Sequence, residues 1–193
     1  MAADSRSERP LVVGISGSMR FGTANEQALR VALDRIDELG GRTQMIVGSR
    51  LILPNFDDET EPEDKARWLL EAVEEADGIV LSSPSYHGGM TGLLKNGLDY
   101  LELLAGRPRP YLRDLPVGTI ATGDGWQGPN STLLALRQTV HALQGWPTPL
   151  GVAQNLSDGG IGDARPHLRT MAEQLWRFIE ARRALTHRAA PTP

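Results

Sequence analysis

The chain has 193 residues, 20 basic against 24 acidic side chains, a net charge of −4, and 40% hydrophobic and 23% charged residues. That is one ordinary globular domain, large enough for a full core, and its mildly acidic balance argues against a nucleic-acid surface. There is no cysteine, so disulfides, thiol nucleophiles and cysteine metal sites are excluded. His87, His141, His167 and His187 show no H-x-x-x-H or H-E-x-x-H spacing, and no metal site is expected. No apolar run approaches the ~18 residues of a membrane span, so no membrane partner is expected and the compartment is read as cytoplasmic.

Residues 1–9 are polar and read as a loose tail. Leu11–Ser16 reads as a buried strand. Asn25–Leu39 carries apolar residues at Ala28, Leu29, Ala32, Leu33 and Ile36, the stripe of a helix, which Gly40-Gly41 ends. Arg42–Val47 is a second strand, and Leu51–Phe56 an irregular, partly buried segment. The acidic run Asp57-Asp58-Glu59 reads as a solvated loop. Glu61–Ala76 is a helix with Pro62 in an allowed first-turn position. Asp77–Ser83 is the third strand, followed by a loop from Pro84 to Thr91 and a helix from Gly92 to Leu104. Pro108–Pro116 is a connector. Val117–Thr122 is the fourth strand, Gly123–Pro129 a glycine-rich loop, Asn130–Leu143 a helix and Pro149–Ala153 the fifth strand. Ala164–Leu185 is the last helix. The domain is therefore read as residues 10–185, with 186–193 a second loose tail.

Five short apolar strands alternating with helices imply an α/β fold with a parallel sheet covered on both faces. The flavodoxin-like three-layer sandwich, with strand order 2-1-3-4-5, is the topology that five such strands favour. Ligands then bind at the strand carboxyl ends, near the switch point between the first and third strands. The loops Gly14–Asn25, Pro84–Thr91 and Gly123–Pro129 converge there.

The first of these loops reads Gly14-Ile15-Ser16-Gly17-Ser18-Met19-Arg20-Phe21-Gly22-Thr23-Ala24-Asn25. A strand runs into hydroxyls, glycines and one arginine, and then into a helix N-terminus. Free N–H groups and the positive helix end favour an anion, and Arg20 adds a charge-assisted partner. The loop has neither the Gly-Lys-Ser/Thr ending of a P-loop nor a G-x-G-x-x-G. It suits a terminal monophosphate. The alternative is a Gly/Ser turn that only caps the helix and leaves Arg20 in solvent. In the second loop, Ser82-Ser83-Pro84-Ser85-Tyr86-His87-Gly88-Gly89-Met90-Thr91, glycines allow the backbone to approach a flat ligand, and Tyr86 offers a ring face and a hydroxyl.

With those residues in view, the chain resembles the NAD(P)H-dependent FMN reductase family, whose members include flavin, quinone, azo-dye and chromate reductases. The phosphate-loop form G-S-x-R-x-x-S-x-N is met by Gly17, Ser18, Arg20, Thr23 in place of serine, and Asn25. The second motif is met by Pro84, Tyr86, Gly92, Leu94, Lys95, Asn96, Asp99 and Tyr100. The likeness spans residues 10 to about 183. It implies that Ser16, Ser18, Arg20, Thr23 and Asn25 surround the FMN phosphate, and that Pro84, Ser85, Tyr86, His87 and Gly88 line the isoalloxazine ring. The third loop, with Thr122, Gly123, Asp124 and Trp126, departs from the usual forms, although its position fits the pyrimidine side of the flavin. The implied cofactors are FMN and NAD(P)H, and no basic residue can be assigned to a 2′-phosphate. The second substrate is a small-molecule electron acceptor such as free flavin, a quinone or an azo compound. A homodimer or dimer of dimers is expected, through the helices after the third and fourth strands.

No residue is assigned as catalytic. Hydride transfer to a flavin needs no protein acid, and His87 is read as contributing its backbone more than its imidazole. Lys95 and Asp99, four apart on a helix, form a surface pair or an interface contact. Trp126 caps the flavin, closes a neighbouring subunit's pocket, or simply packs, whereas Trp68, Trp146 and Trp176 read as packing helix faces or interfaces. The competing functions are a non-enzymatic, flavodoxin-type electron carrier and a flavin-binding regulatory module. Oxidation of NAD(P)H separates them from a reductase.

Overall fold

A computed structural model describes residues 9–189, with side chains as far as Leu185. Apart from Arg9 and the end of the last helix, the two expected tails fall outside the described residues. The elements are β1 (Leu11–Ser16), α1 (Ala24–Glu38), β2 (Arg42–Ile46), α2 (Asp64–Glu75), β3 (Gly78–Pro84), α3 (Gly92–Asp99), β4 (Pro116–Gly123), α4 (Gln127–Ala142), β5 (Trp146–Pro147), β6 (Val152–Asn155) and α5 (Gly160–Ala189). The sheet order is β2-β1-β3-β4-β5, with β6 also paired to β4, and every pairing is parallel. This is the flavodoxin-like order expected from the sequence.

Strand alternation divides the core between the two faces. Leu11, Val13 and Ile15 of β1 join Ile79, Leu81 and Val117 against α2, α3 and α4. Val12, Val80 and Ile120 face α1 and α5 with Leu29, Ile36, Leu168 and Leu175. Gly14 completes the second face by having no side chain, because a Cβ there would lie 2.7 Å from Leu33 Cδ1.

Helix α2 starts at Asp64 rather than Glu61, so Pro62 precedes the helix instead of lying in its first turn, and α5 starts at Gly160 rather than Ala164. Three further boundaries differ from the sequence reading. The predicted fifth strand, Pro149–Ala153, is two short pieces along β4. Pro147 and Pro149 supply no N–H, so the ladder breaks between Thr148 and Leu150, and Leu150 N–H donates to Gln174 Oε1 at 2.8 Å instead. An edge strand tolerates such a break. The helix predicted to run from Gly92 to Leu104 changes to a 3-10 turn over Tyr100–Leu104. Helix α4 begins at Gln127 rather than Asn130, because Pro129 sits in the first turn, where a missing N–H costs nothing.

The second sequence motif is a structural brace. Asn96 Oδ1 accepts from Phe56 N–H at 2.8 Å, and its Nδ2 donates to Pro54 O at 2.7 Å. The Tyr100 hydroxyl also donates to Pro54 O, and its ring meets Phe56 edge-on at 5.3 Å. Together they fix the irregular segment 51–56 against α3. Lys95 and Asp99 form an exposed pair at 2.6 Å, worth only ~0.5 kcal/mol. Trp176 is buried, Trp68 lies under the Arg50 guanidinium, and Trp146 is exposed beside Phe178.

Helices α1 and α5 are joined at their solvent edge by an ion network. Glu38 accepts from Arg169 at 2.6 Å and from Arg35 at 2.8 Å, and Arg35 also reaches Glu173 at 2.7 Å. The hydrogen bonds from Arg169, and then Arg35, hold the Glu38 carboxyl down to about 2. A depressed folded-state pKa gives stability that is present above the ordinary glutamate range and lost as pH falls through it towards 2. Urea titrations should therefore show Glu38→Gln less stable than the parent above pH 5. The two should converge between about pH 4.5 and 2, where the parent loses the same contribution.

Candidate cofactor site

The carboxyl ends of β1, β3 and β4 meet around one side chain. Asn25, the second residue of α1, is 2% exposed. Its Nδ2 donates to Ser16 Oγ at 2.9 Å and to Ser82 O at 3.2 Å. Its Oδ1 accepts from Ser82 Oγ at 2.7 Å and from Thr122 Oγ1 at 3.4 Å. Both donors and both acceptor positions of the amide are used within the fold. Ser16 is fully buried beneath the loop as one of these partners, so the side chains of Ser16 and Asn25 organise the floor of the site.

Above that floor the loop from Gly17 to Gly22 is held from several sides. Gly17 N–H donates to Ser82 O at 2.8 Å, and Thr91 Oγ1 donates to Gly17 O at 2.8 Å. A Cβ at Gly17 would stand 2.5 Å from that same Thr91 oxygen, so only glycine permits the contact. Thr91 also caps α3, accepting from Leu94 N–H, and thereby ties the first loop to the second. Thr23 caps α1 by accepting from Glu26 N–H at 3.3 Å. Glu26 in turn accepts from Gly22 N–H at 2.9 Å and pairs with Arg30 at 3.0 Å, which offsets its charge. The N–H groups of Ala24 and Asn25, in the first turn, have no carbonyl four residues back to receive them. The Arg20 guanidinium is exposed and has no ion pair among the described residues.

A pocket of about 480 Å³ opens over these groups, lined by Ser18, Arg20, Thr23 and Asn25 on one side and by Pro84, Ser85, Tyr86, Thr122, Gly123 and Asp124 on the other. A second, of about 510 Å³, adjoins it through Ser85 and Asp124 and is lined by His87 and Gly88. Every predicted site residue except Ser16 lines one of the two. Each volume falls in the range of small-molecule sites.

The segment Tyr86–Gly89 is a tight hairpin. Tyr86 and Gly89 exchange both backbone hydrogen bonds at 3.1 Å, and the central residues His87 and Gly88 have φ of 53° and 81°. Two successive positive φ values define a type I′ turn, which explains the His-Gly pair by backbone conformation. Tyr86, 61% exposed, lines the first pocket, and Trp126, 49% exposed, lines the second.

Sequence reasoning missed a fourth contributor, the turn after β6. Asn155 Oδ1 accepts from Gly125 N–H at 2.7 Å and from Ser157 N–H at 3.0 Å. Ser157 Oγ donates to Asp124 Oδ1 at 3.2 Å, and Leu156 lines the first pocket. The run Asn155-Leu156-Ser157-Asp158-Gly159-Gly160 carries turn residues straight after a strand, and that was the available signal. Ser131, Gln127 and Gly128 enter the second pocket because α4 begins earlier than predicted. Gly128 has no Cβ to meet Ser85 Oγ, which would otherwise lie at 2.8 Å.

Residues 10–155 match the family described as NADPH-dependent FMN reductase. An NADPH azoreductase of Bacillus sp. (strain OY1-2) is 28% identical over 87% of this chain and 92% of its own length. An FMN-dependent NADPH-azoreductase of Staphylococcus haemolyticus (strain JCSC1435) is 36% identical over 46% of this chain and 43% of its own. Among solved structures, an oxidoreductase from Corynebacterium diphtheriae superposes with a TM-score of 0.72 at 19% identity, covering 90% of this chain and 98% of that one.

The Asn25 network makes a prediction that is independent of any ligand. Asn25→Ala removes the buried bonds of the amide to Ser16 Oγ, Ser82 O and Ser82 Oγ. Unfolding free energy should fall by about 2–4 kcal/mol, the sum of three buried hydrogen bonds at roughly 1 kcal/mol each. Arg20→Ala removes no internal partner, so denaturant midpoints of the apoprotein should stay unchanged.

Proposed function

We propose roles for individual residues from the premise that the chain belongs to the NADPH-dependent FMN reductase family and is an FMN-dependent NAD(P)H oxidoreductase. The family is one of reductases, and the electron-carrier alternative falls with that membership. The observation that carries the residue assignment is the set of unspent donors between β1 and α1. Two free helical N–H groups, the Thr23 hydroxyl and an arginine with no ion pair among the described residues all border one pocket, and their summed character is that of a phosphate site.

In this reading Arg20 holds the FMN phosphate by charge-assisted hydrogen bonds, and Thr23 donates from a hydroxyl already fixed by capping. Asn25 gives its backbone N–H, while its amide keeps the three strand ends in register beneath. Ser18, with its Oγ already donating to Arg20 O, shapes the loop. Pro84, Ser85 and Tyr86 border one edge of the ring, and Thr122, Gly123 and Asp124 the other. His87 and Gly88 present backbone groups to the ring edge through their turn, and this supports a backbone role for His87. Bound FMN supplies the hydride acceptor and the store of two electrons. The chain's own contribution is positioning. Tyr86 and Trp126, both exposed, line the two adjoining pockets, and nicotinamide and then an acceptor would stack in turn in the space they border.

The acceptor is a small organic molecule. The azoreductase relatives favour an azo compound, and quinones and free flavin suit the same opening. We place the protein in the cytoplasm. No described helix is long and apolar enough to cross a membrane, which is compatible with that placement. We also infer a homo-oligomer: Leu134 on α4 is exposed, as is Trp126 beside the pocket, and a second subunit would cover both.

Arg20→Ala should weaken FMN binding about ten- to a hundredfold by removing a charge-assisted contact. Fluorescence titration of the apoprotein with FMN measures this, and an unchanged affinity would remove Arg20 from the phosphate site. His87→Asn keeps a residue that tolerates positive φ, so anaerobic stopped-flow reduction of the flavin should stay within about tenfold of the parent. Gly88→Val should do more harm. Its Cβ would meet only Ser131 Cβ at 3.8 Å, so the damage would come from forcing a branched residue to φ 81°.

A further inference from the structure

A third cavity, of about 490 Å³, opens at the sheet edge between α4 and α5, and Trp126 lines both it and the pocket that holds His87 and Gly88. Its floor is β6, which pairs with β4 alone. Leu156 N–H donates to Gly123 O, and the register Thr122↔Gln154 and Ile120↔Val152 carries that pattern back along the strand. Val152 and Gln154 thus turn their backbone groups towards β4, and the N–H and C=O of Ala153 point away from the sheet, into the cavity that Ala153 lines. Leu133 and Leu150 form half-buried apolar walls, and the exposed side chains of Asp158, Asp163 and His167 form the outer rim. Gly151 keeps the floor open: a Cβ there would lie 2.8 Å from Leu133 Cδ1 and 2.8 Å from Thr119 Oγ1, a buried hydroxyl with no hydrogen-bond partner among the described residues. No lysine or arginine lines the cavity. Arg137 lies behind Gly151 and is held there by donating to Thr148 O at 2.8 Å.

We propose that this cavity receives the far ring of an extended diaryl electron acceptor and selects a neutral or cationic ring over one bearing a sulfonate or carboxylate. The proposal rests on the reading that acceptors stack at the mouth between Tyr86 and Trp126. A flat molecule leaving that mouth passes Trp126, which lines both spaces, and reaches the apolar walls of Leu133 and Leu150. A ring amino group there donates to the outward carbonyl of Ala153 and to the carboxylates. An anionic substituent meets Asp158 and Asp163 with no lining arginine or lysine to offset them. At solvent-exposed separations of about 4 Å, each such charge pair is worth roughly a fivefold change in affinity.

The test uses three azobenzenes that differ in a single para substituent: trimethylammonium, dimethylamino and sulfonate. Binding to the oxidised, FMN-loaded protein is followed by the absorbance change of the dye at low ionic strength. The expected order is ammonium, then dimethylamino, then sulfonate, with steps of about fivefold. Asp158→Asn combined with Asp163→Asn should compress the series to within about twofold. Asn130→Arg, which places a cation on the helical wall, should raise sulfonate affinity about fivefold. Equal affinities in the parent protein, a spread that survives in the double variant, or no dye binding would overturn the proposal. NADPH-driven reduction of benzoquinone, whose single ring cannot span from the mouth to the edge, should be the same in all three proteins. Its absence in the parent would count against the reductase reading, and the dye-binding series would still judge the cavity.

Discussion

Asn25 lies one residue inside α1, yet its amide reaches the ends of β1, β3 and β4. The site depends on that convergence. A phosphate-binding loop must hold its N–H groups in place without spending them on the fold. Asn25 meets this requirement by taking the buried polar groups of Ser16, Ser82 and Thr122 onto its side chain, which leaves the first-turn backbone N–H groups free. The arrangement is costly to break because every partner is buried. A helix N-terminus supplies the positive end of a dipole, and the amide beneath it determines where that end points.

The loops around this centre are fixed by close approach more than by bulk. Gly17 and Gly128 each leave space that a neighbouring oxygen occupies, on Thr91 and Ser85 respectively. Thr91 serves three segments at once: its backbone N–H donates to Ser83 Oγ, its hydroxyl donates to Gly17 O, and the same oxygen accepts from Leu94 N–H to cap α3. The Asn96–Tyr100 brace holds segment 51–56 in the same manner, far from any ligand. The residues that mark the second sequence motif therefore divide between two tasks. Pro84 and Tyr86 face the pocket, and Asn96 and Tyr100 secure the layer behind it.

Charge is distributed in keeping with this division. The pocket at the α1 N-terminus carries Arg20, with Glu26 paired to Arg30. The sheet edge beyond Trp126 carries carboxylates instead. The field of these groups favours an anion at the first place over the second.

The sequence by itself determined the strand–helix alternation, the strand order and the loops that meet at the carboxyl ends, because apolar periodicity and turn residues are local properties. It also picked out residues, from Ser18 to Asp124, that line two adjoining pockets. It could not show that Asn25 spends its amide on the floor, since that depends on residues 57 and 97 positions away. Nor could it show that Pro147 and Pro149 split the edge strand while Gln174 captures the freed Leu150 N–H, or that Asn155–Ser157 closes the third loop. Each of these is a hydrogen bond between segments remote in sequence, and composition carries no record of which distant donor meets which acceptor. That pairing follows only once the sheet has been assembled and the helices packed on its two faces.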